Sequence, residues 1–270
     1  MSTTELTRTA PRPTEQPHCG RARDSNGRHD TAAAELLPRH RWYGPLKFVA
    51  EYAAAIVLFV LALPFIAAAA AAIKLSSPGP VFYLQTRLGR NGRRYRVVKL
   101  RTMVHNAEAA TGPVWAGAND SRITPVGRFL RDTHIDEFPQ LINVLLGQMA
   151  LIGPRPERPE IVQDIEWKIA NYRDRLRVRP GITGLAQLNL PPDSDLESVR
   201  RKLRHDLYYI HCRSPWLDLR IFCATSWLLF KTLVRGGWRI VALPNVEQVD
   251  SQIQRLIPES DLVTAPSKKD

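Results

Sequence analysis

Tyr52-Ala53-Ala54-Ala55-Ile56-Val57-Leu58-Phe59-Val60-Leu61-Ala62-Leu63-Pro64-Phe65-Ile66 continues through a run of alanines to Ile73, giving 22 residues without a charge. As a helix rising ~1.5 Å per residue, this stretch is long enough to reach across a ~30 Å hydrocarbon core. Two features argue against a simple crossing. Pro64 near its middle lacks the N–H of a helix interior and bends the axis. Positive charge lies on both sides: Arg39, Arg41 and Lys47 precede the run, and Lys74, Arg87, Arg90, Arg93, Arg94 and Arg96 follow it. Positive flanks prefer the cytoplasm, so both ends favour one face of the membrane. The reading that meets both conditions is a Pro-broken re-entrant helix over 42–75, in preference to a straight anchor or a buried soluble helix.

The rest of the chain is arranged around that element. Residues 1–41 are rich in Thr, Arg, Pro and Ala without apolar periodicity, and are expected to be a disordered basic tail rather than a secretory signal. Residues 76–240 form the expected cytoplasmic domain on the membrane surface, and 241–270 a polar C-terminal tail. After the Ser76-Ser77-Pro78-Gly79-Pro80 break, residues 81–84 read as a strand, and Asn91-Gly92 turns the chain into a second strand over 95–100. Thr124-Pro125 marks a helix start. Asp136 is expected to cap the next helix, whose Phe138, Leu141, Ile142 and Leu145 share a face and whose exit is Gly147. Further helices are expected over about 159–177 and 196–210. From Trp216 to Val234 the chain is nearly all apolar, with Asp218, Thr225 and Thr232 as a polar stripe, the pattern of a helix lying on a membrane or a core. The fold class is therefore α+β, mainly helical: a monotopic membrane protein with one short β-hairpin and interfacial amphipathic helices.

Composition narrows the function. The 270 residues carry a net charge of +12 and a hydrophobic fraction of 44%. Their mean hydropathy is -0.24. These values exclude a disordered chain and a polytopic permease, and they point to a polyanionic partner: nucleic acid, anionic lipid or a phosphorylated substrate. Cys19, Cys212 and Cys223 form neither a zinc pattern nor an even disulfide set, which fits a reducing compartment. The eight basic residues between Tyr52 and Ala107 face no acidic residue in that interval. Arg90 to Arg96 suit lipid head groups. Strand alternation puts Lys99 and Arg101 on one face, where two cations make a diphosphate clamp. In Arg131-Asp132-Thr133-His134-Ile135-Asp136-Glu137, a helix start lets both final carboxylates reach one site, with Arg131 and the Gly153-Pro154-Arg155-Pro156 turn supplying cations. The bland alternative is a helix cap beside a residue that complements the helix dipole.

Five ordered segments carry a resemblance: Ser77-Pro78-Gly79-Pro80-Val81-Phe82-Tyr83, Lys99-Leu100-Arg101-Thr102-Met103, Asp136-Glu137-Phe138-Pro139-Gln140-Leu141-Ile142-Asn143-Val144, Gly153-Pro154-Arg155-Pro156-Glu157 and Pro180-Gly181-Ile182-Thr183-Gly184-Leu185-Ala186-Gln187. From about Leu46 to Gly236 the chain resembles the bacterial sugar transferases, the monotopic polyprenyl-phosphate phosphoglycosyl transferases, in their short single-domain form. The resemblance implies a membrane enzyme that moves a sugar 1-phosphate from a UDP-sugar to polyprenyl (undecaprenyl) phosphate, releases UMP and begins exopolysaccharide or other glycan assembly. It implies Asp136 as nucleophile, Glu137 as its partner at a Mg2+ ion, and Arg131 and Arg155 as substrate-binding cations, to which the strand-face reading adds Lys99 and Arg101. It also implies anionic lipid contacts on the cytoplasmic face of the bacterial inner membrane. The chain departs from the family's usual pattern at Gln148, Ala150 and Leu190.

Competing readings are weaker. Asp193-Ser194-Asp195 matches a D-x-D metal motif of conventional glycosyltransferases but lies in a Pro-rich loop. No motif or aromatic-interleaved basic stretch supports nucleic-acid binding. A catalytically idle scaffold for glycan assembly would have no need of the Asp136–Glu137 pair. No pattern specifies an oligomeric state, and none names the sugar.

Overall fold

The computed structural model describes residues 42–107, 120–193, 195–233 and 243–256. The expected basic tail and Gly236-Gly237 lie outside these residues. Helix α1, Tyr43–Ser76, runs unbroken through Pro64. The expected break is absent because a proline removes one donor from the ladder while the remaining turns keep theirs. Its 34 residues extend ~51 Å at ~1.5 Å per residue, well beyond a hydrocarbon core.

One stripe of α1 is buried: Tyr43, Lys47, Glu51, Ala55, Ala62, Ile66, Ala69 and Ile73. Their spacing of three, four and seven residues keeps them on one face, and the alanines let the neighbouring backbone approach closely. The other faces expose Val49, Ile56, Val57, Val60, Leu61, Leu63 and Phe65. The buried stripe meets the rest of the protein near both ends of α1. At the start, Asp218 accepts hydrogen bonds from Tyr43 at 2.5 Å and Lys47 at 2.6 Å. Farther along, Phe65 meets Phe138 edge to face, 6.4 Å between ring centres.

After α1 comes the expected hairpin. β1, Phe82–Leu88, pairs antiparallel with β2, Arg94–Leu100, bringing Tyr83 opposite Lys99. Asn91 (φ 57) and Gly92 (φ 74) supply the left-handed turn residues. β1 is longer than expected at its end. Helix α2, Pro125–Asp132, starts as the sequence predicts: the Thr124 hydroxyl accepts from the Gly127 N–H at 2.9 Å. Helix α3, Gln140–Leu145, has Pro139 and not Asp136 at its N-cap. Asp136 instead lies inside a tight 3-10 turn, Ile135–Glu137, entered through His134 at φ 58.

Strand β3, Ala150–Ile152, pairs parallel with β4, Gly181–Thr183. Between them, helix α4 covers Pro159–Glu166, and a separate 3-10 segment covers Tyr172–Arg177. The single helix expected over 159–177 is divided because Asn171 adopts φ 58, which no α-helix accommodates. Short α5, Leu185–Asn189, leads to α6, Leu196–Cys212, which opens with a reciprocal cap between Asp195 and Ser198. Asp195 is therefore a helix cap and Asp193 pairs with Lys202. Among the described residues no cluster of ligating side chains suits a metal at this D-x-D sequence.

Helix α7, Pro215–Leu233, reverses the expected sense of its polar stripe. Asp218 is buried, and the Thr225 hydroxyl is 2.8 Å from that of Thr183, while Trp216, Leu219, Phe222 and Leu228 are exposed. Asp218 and Thr225 bond inward beside the buried Leu217 and Ile221, and those four large apolar side chains face out. The side chain of Thr232 lies outside the described residues. Finally, Val246–Leu256 forms α8, with Val249 and Ile253 wholly buried against α6. The segment expected to be a polar tail thus contributes to the core. Two apolar residues four apart are one helix face, even where the surrounding composition is polar.

Candidate active site

The site forms where β2, the 3-10 turn and the Gly153-Pro154-Arg155-Pro156 turn converge. Lys99 leaves β2 and donates to Glu137 Oε1 at 2.6 Å. Arg155 Nη2 donates to the same oxygen at 2.8 Å. The Arg155 turn is held by the parallel strand pair: Gly153 N–H donates to Thr183 O, and Gly181 N–H to Pro154 O, each at 2.9 Å. This pairing explains why both glycine-containing motifs are needed at once. A Cβ on Gly181 would overlap the backbone of Gly153.

The adjacent carboxylates have different environments. Burial alone would raise the Glu137 pKa, but Arg155 and Lys99 reverse that and hold it well below the usual carboxylate range. Burial, reinforced by the negative charge of Glu137, raises Asp136 to about 6, against the pull of Lys99 and Arg131. Because Asp136 lies in the 3-10 turn and not at a helix N-terminus, no helix dipole offsets that burial. Asp136 is 8% exposed. It accepts no hydrogen bond from any described residue, so its oxygens are not committed to a structural partner.

Arg131 reaches the site's edge, with Nε donating to Thr102 Oγ1 at 2.8 Å while its charge acts on Asp136. Arg101 does not join the cluster. Its Nη1 donates to Pro78 O, and its Nη2 to Ser77 O and Oγ, all at 2.8 Å. Residues on one strand face still diverge when one side chain is captured by the end of a neighbouring helix. Arg101 therefore ties β2 to the exit of α1, and the expected diphosphate clamp of Lys99 with Arg101 is replaced by Lys99 with Arg155. Gly79 makes that tie possible: it has φ 116, and a Cβ there would overlap Arg101 Nη1.

Sequence reasoning missed the support behind Arg155. Glu157 accepts from Lys202 at 2.7 Å and lies 3.5 Å from Arg175 Nη1 and 3.7 Å from Arg87 Nη1. Arg175 Nη2 donates to the Arg155 carbonyl at 3.0 Å, and Arg87 Nη1 to that of Pro156 at 3.0 Å. Glu157 stood inside a recognised motif, but Arg175 and Lys202 lie in separate segments with no local signal. The departures from the family pattern are absorbed locally. Gln148 Oε1 accepts from Asn143 Nδ2 at 2.8 Å, and that same nitrogen donates to Arg96 O at 2.8 Å. Ala150 is buried in β3. Leu190 N–H donates to Ala186 O at 3.0 Å.

Adjacent carboxylates among three cations, beside a long apolar helix with an exposed flank, are what a membrane-associated protein presents here. The chain belongs to the bacterial sugar transferase family, whose model matches residues 42–232. It is 42% identical over 208 residues to a UDP-N-acetylgalactosamine-undecaprenyl-phosphate N-acetylgalactosaminephosphotransferase of Aeromonas hydrophila, covering 77% of this chain and 48% of the relative. It is also 42% identical over 181 residues to a UDP-glucose:undecaprenyl-phosphate glucose-1-phosphate transferase of Caulobacter vibrioides, covering 66% of this chain and 67% of that relative. An exopolysaccharide production protein of Rhizobium leguminosarum bv. phaseoli is 40% identical over 184 residues, 66% of this chain and 90% of its own length. The match thus spans about half of the Aeromonas relative and most of the Rhizobium one.

Proposed function

We propose that this chain transfers a sugar 1-phosphate from a UDP-sugar to undecaprenyl phosphate, releasing UMP, at the cytoplasmic face of the bacterial inner membrane, as the first membrane step of exopolysaccharide or related glycan assembly. The observation that carries this reading is the uncommitted Asp136 carboxylate beside a Glu137 held by Lys99 and Arg155. The names of the relatives supply the reaction class.

In this mechanism an Asp136 oxygen attacks the phosphorus that bears the sugar. The bond to the bridging oxygen breaks, UMP leaves with that electron pair, and the sugar phosphate stays on Asp136 as an acyl phosphate. An oxygen of undecaprenyl phosphate then attacks the same phosphorus, forming the lipid diphosphate and freeing the carboxylate. Lys99, Arg155 and Arg131 bind the diphosphate oxygens and stabilise the charge that develops on them. Because its partners keep Glu137 ionised, it maintains a fixed negative charge there throughout.

The residues fit Mg2+. Glu137 uses one oxygen for its cations, Asp136 has none engaged with a described residue, and magnesium is commonly held by one or two carboxylates together with substrate phosphates. When bound through Glu137, Mg2+ would neutralise diphosphate charge. Three cations against two carboxylates make the metal's binding depend on the nucleotide that accompanies it.

The proposal includes a monotopic disposition of α1, in which the unbroken helix keeps both ends on one face of the membrane by bending at Pro64 rather than breaking there. Both Tyr43 and Ile73 are buried against the same polar domain, which supports a helix whose two ends stay on one side of the bilayer.

The test is a single-turnover experiment with UDP-sugars and Mg2+ but no lipid acceptor. Wild type should release UMP up to about one equivalent and retain the sugar phosphate covalently. Asp136→Asn should bind membranes yet lose both label and turnover. Near-wild-type turnover by that variant, with folding intact, would exclude Asp136 as nucleophile.

A further inference from the structure

Far from Asp136, the start of α1 borders a pocket lined by Lys47, Arg179 and Arg213, together with Gly44 and Tyr209. Lys47 is fully engaged, donating to Glu51 and Asp218 at 2.6 Å each. The two arginines are not: neither makes a hydrogen bond or ion pair with a described residue. Arg213 Nε is sealed from solvent without an acceptor. Among the described residues, the three cations of this pocket stand near the carboxylates of Glu51 and Asp218, and both of those already serve Lys47. Glu51, which also acts on Arg179, is already paired with Lys47, so Arg179 and Arg213 leave a surplus of positive charge that favours the binding of an anion.

The surroundings specify the kind of anion. The Arg179 guanidinium lies 4.4 Å from the centre of the Phe48 ring. Phe48 and Tyr52 are each 41% exposed and Trp42 is 61% exposed. Tyr and Trp concentrate where hydrocarbon gives way to head groups. The exposed side chains of Val49 and Ile56 continue from there along α1 as an apolar surface suited to acyl chains.

We propose that Arg179 and Arg213 form a binding site for the phosphate group of an anionic membrane phospholipid. A guanidinium presents paired N–H donors that match two phosphate oxygens, and two such groups on different loops bind one head group from two sides. The site is separate from the catalytic one. Phe48 precedes Phe65, which packs beside the 3-10 turn, by ~26 Å of helix at ~1.5 Å per residue. A lipid held here would fix the start of α1 at the membrane surface.

The test uses the full chain in micelles containing equal amounts of phosphatidylglycerol and phosphatidylcholine, with retained lipid read by native mass spectrometry. Wild type should retain phosphatidylglycerol preferentially. The Arg179→Gln/Arg213→Gln variant should lose about tenfold of that retention. An Arg93→Gln/Arg94→Gln variant, with the same change in net charge on exposed residues, should keep it. Arg179→Lys/Arg213→Lys preserves the charges but not the paired donors and should retain clearly less lipid than wild type, which keeps the test decisive if the glutamine variant fails to fold, since undiminished retention by the lysine variant would overturn the proposal. Equal losses in the two glutamine variants would overturn the proposal, as would equal retention of both lipids by wild type. Complete displacement by millimolar inorganic phosphate would identify a free-phosphate site and overturn the lipid assignment. No sugar donor or acceptor is present, so failure here is distinguishable from failure of the transferase reading.

Discussion

Replacing Glu157 with Gln removes one charge from the network behind Arg155 while preserving side-chain size. Glu157 is 11% exposed at its side chain, and its partners Arg175 and Lys202 are 2% and 13% exposed, so solvent screens the contacts little. Burial pushes its pKa up, but Lys202, Arg175 and Arg87 outweigh that and bring it from 4.5 to about 2. That depression corresponds to about 3 kcal/mol of stability. The folded pKa lies below the unfolded one, so this contribution is complete above pH 4.5 and is lost as pH falls toward 2. Glu157→Gln should therefore melt roughly 6–12 °C below wild type at neutral pH. The gap should narrow as pH is lowered from 5.5 to 3. Melting curves of the two proteins in the same detergent, recorded across that range, measure it directly. A gap that stays constant between pH 7 and pH 3, or no gap at all, would show that charge pairing at Glu157 is not what holds this turn.

Gly79→Ala should lower the melting temperature and turnover together, because it strains a backbone at φ 116 and displaces the Arg101 side chain that joins α1 to β2. Wild-type values in both assays would mean that Arg101 relocates without cost. Asp218→Asn should destabilise by about 3 kcal/mol, since Lys47 and Tyr43 lose a buried carboxylate they share; chemical denaturation gives the value, and an unchanged midpoint would count against the buried network. Arg131→Ala should reduce UMP release far more than Arg93→Ala, because Arg131 acts on Asp136 while Arg93 is exposed. Equal losses in the initial-rate assay would place Arg131 among the membrane-adhesion residues.

Local patterns determined much of this protein. The uncharged run around Pro64 announced an apolar helix, though not that it would continue unbroken through that proline, while Asn91-Gly92 announced a hairpin and Thr124-Pro125 a helix start. Each depends on the backbone preferences of a few consecutive residues, which act before tertiary contacts form. The ordered motifs likewise identified Asp136, Glu137, Lys99 and Arg155 before their proximity was known. Only the tertiary structure decided which cations serve the site. Lys99 and Arg101 share a strand face, yet Arg101 is drawn to the carbonyls at the end of α1, and Arg155 from a distant turn takes its place beside Glu137. It also decided that Asp218 and Thr225 point inward from an apolar helix, and that Val249 and Ile253 cover α6. Burial and ion pairing depend on which surfaces meet, and residues as far apart as Glu157 and Lys202 meet only when the chain has folded.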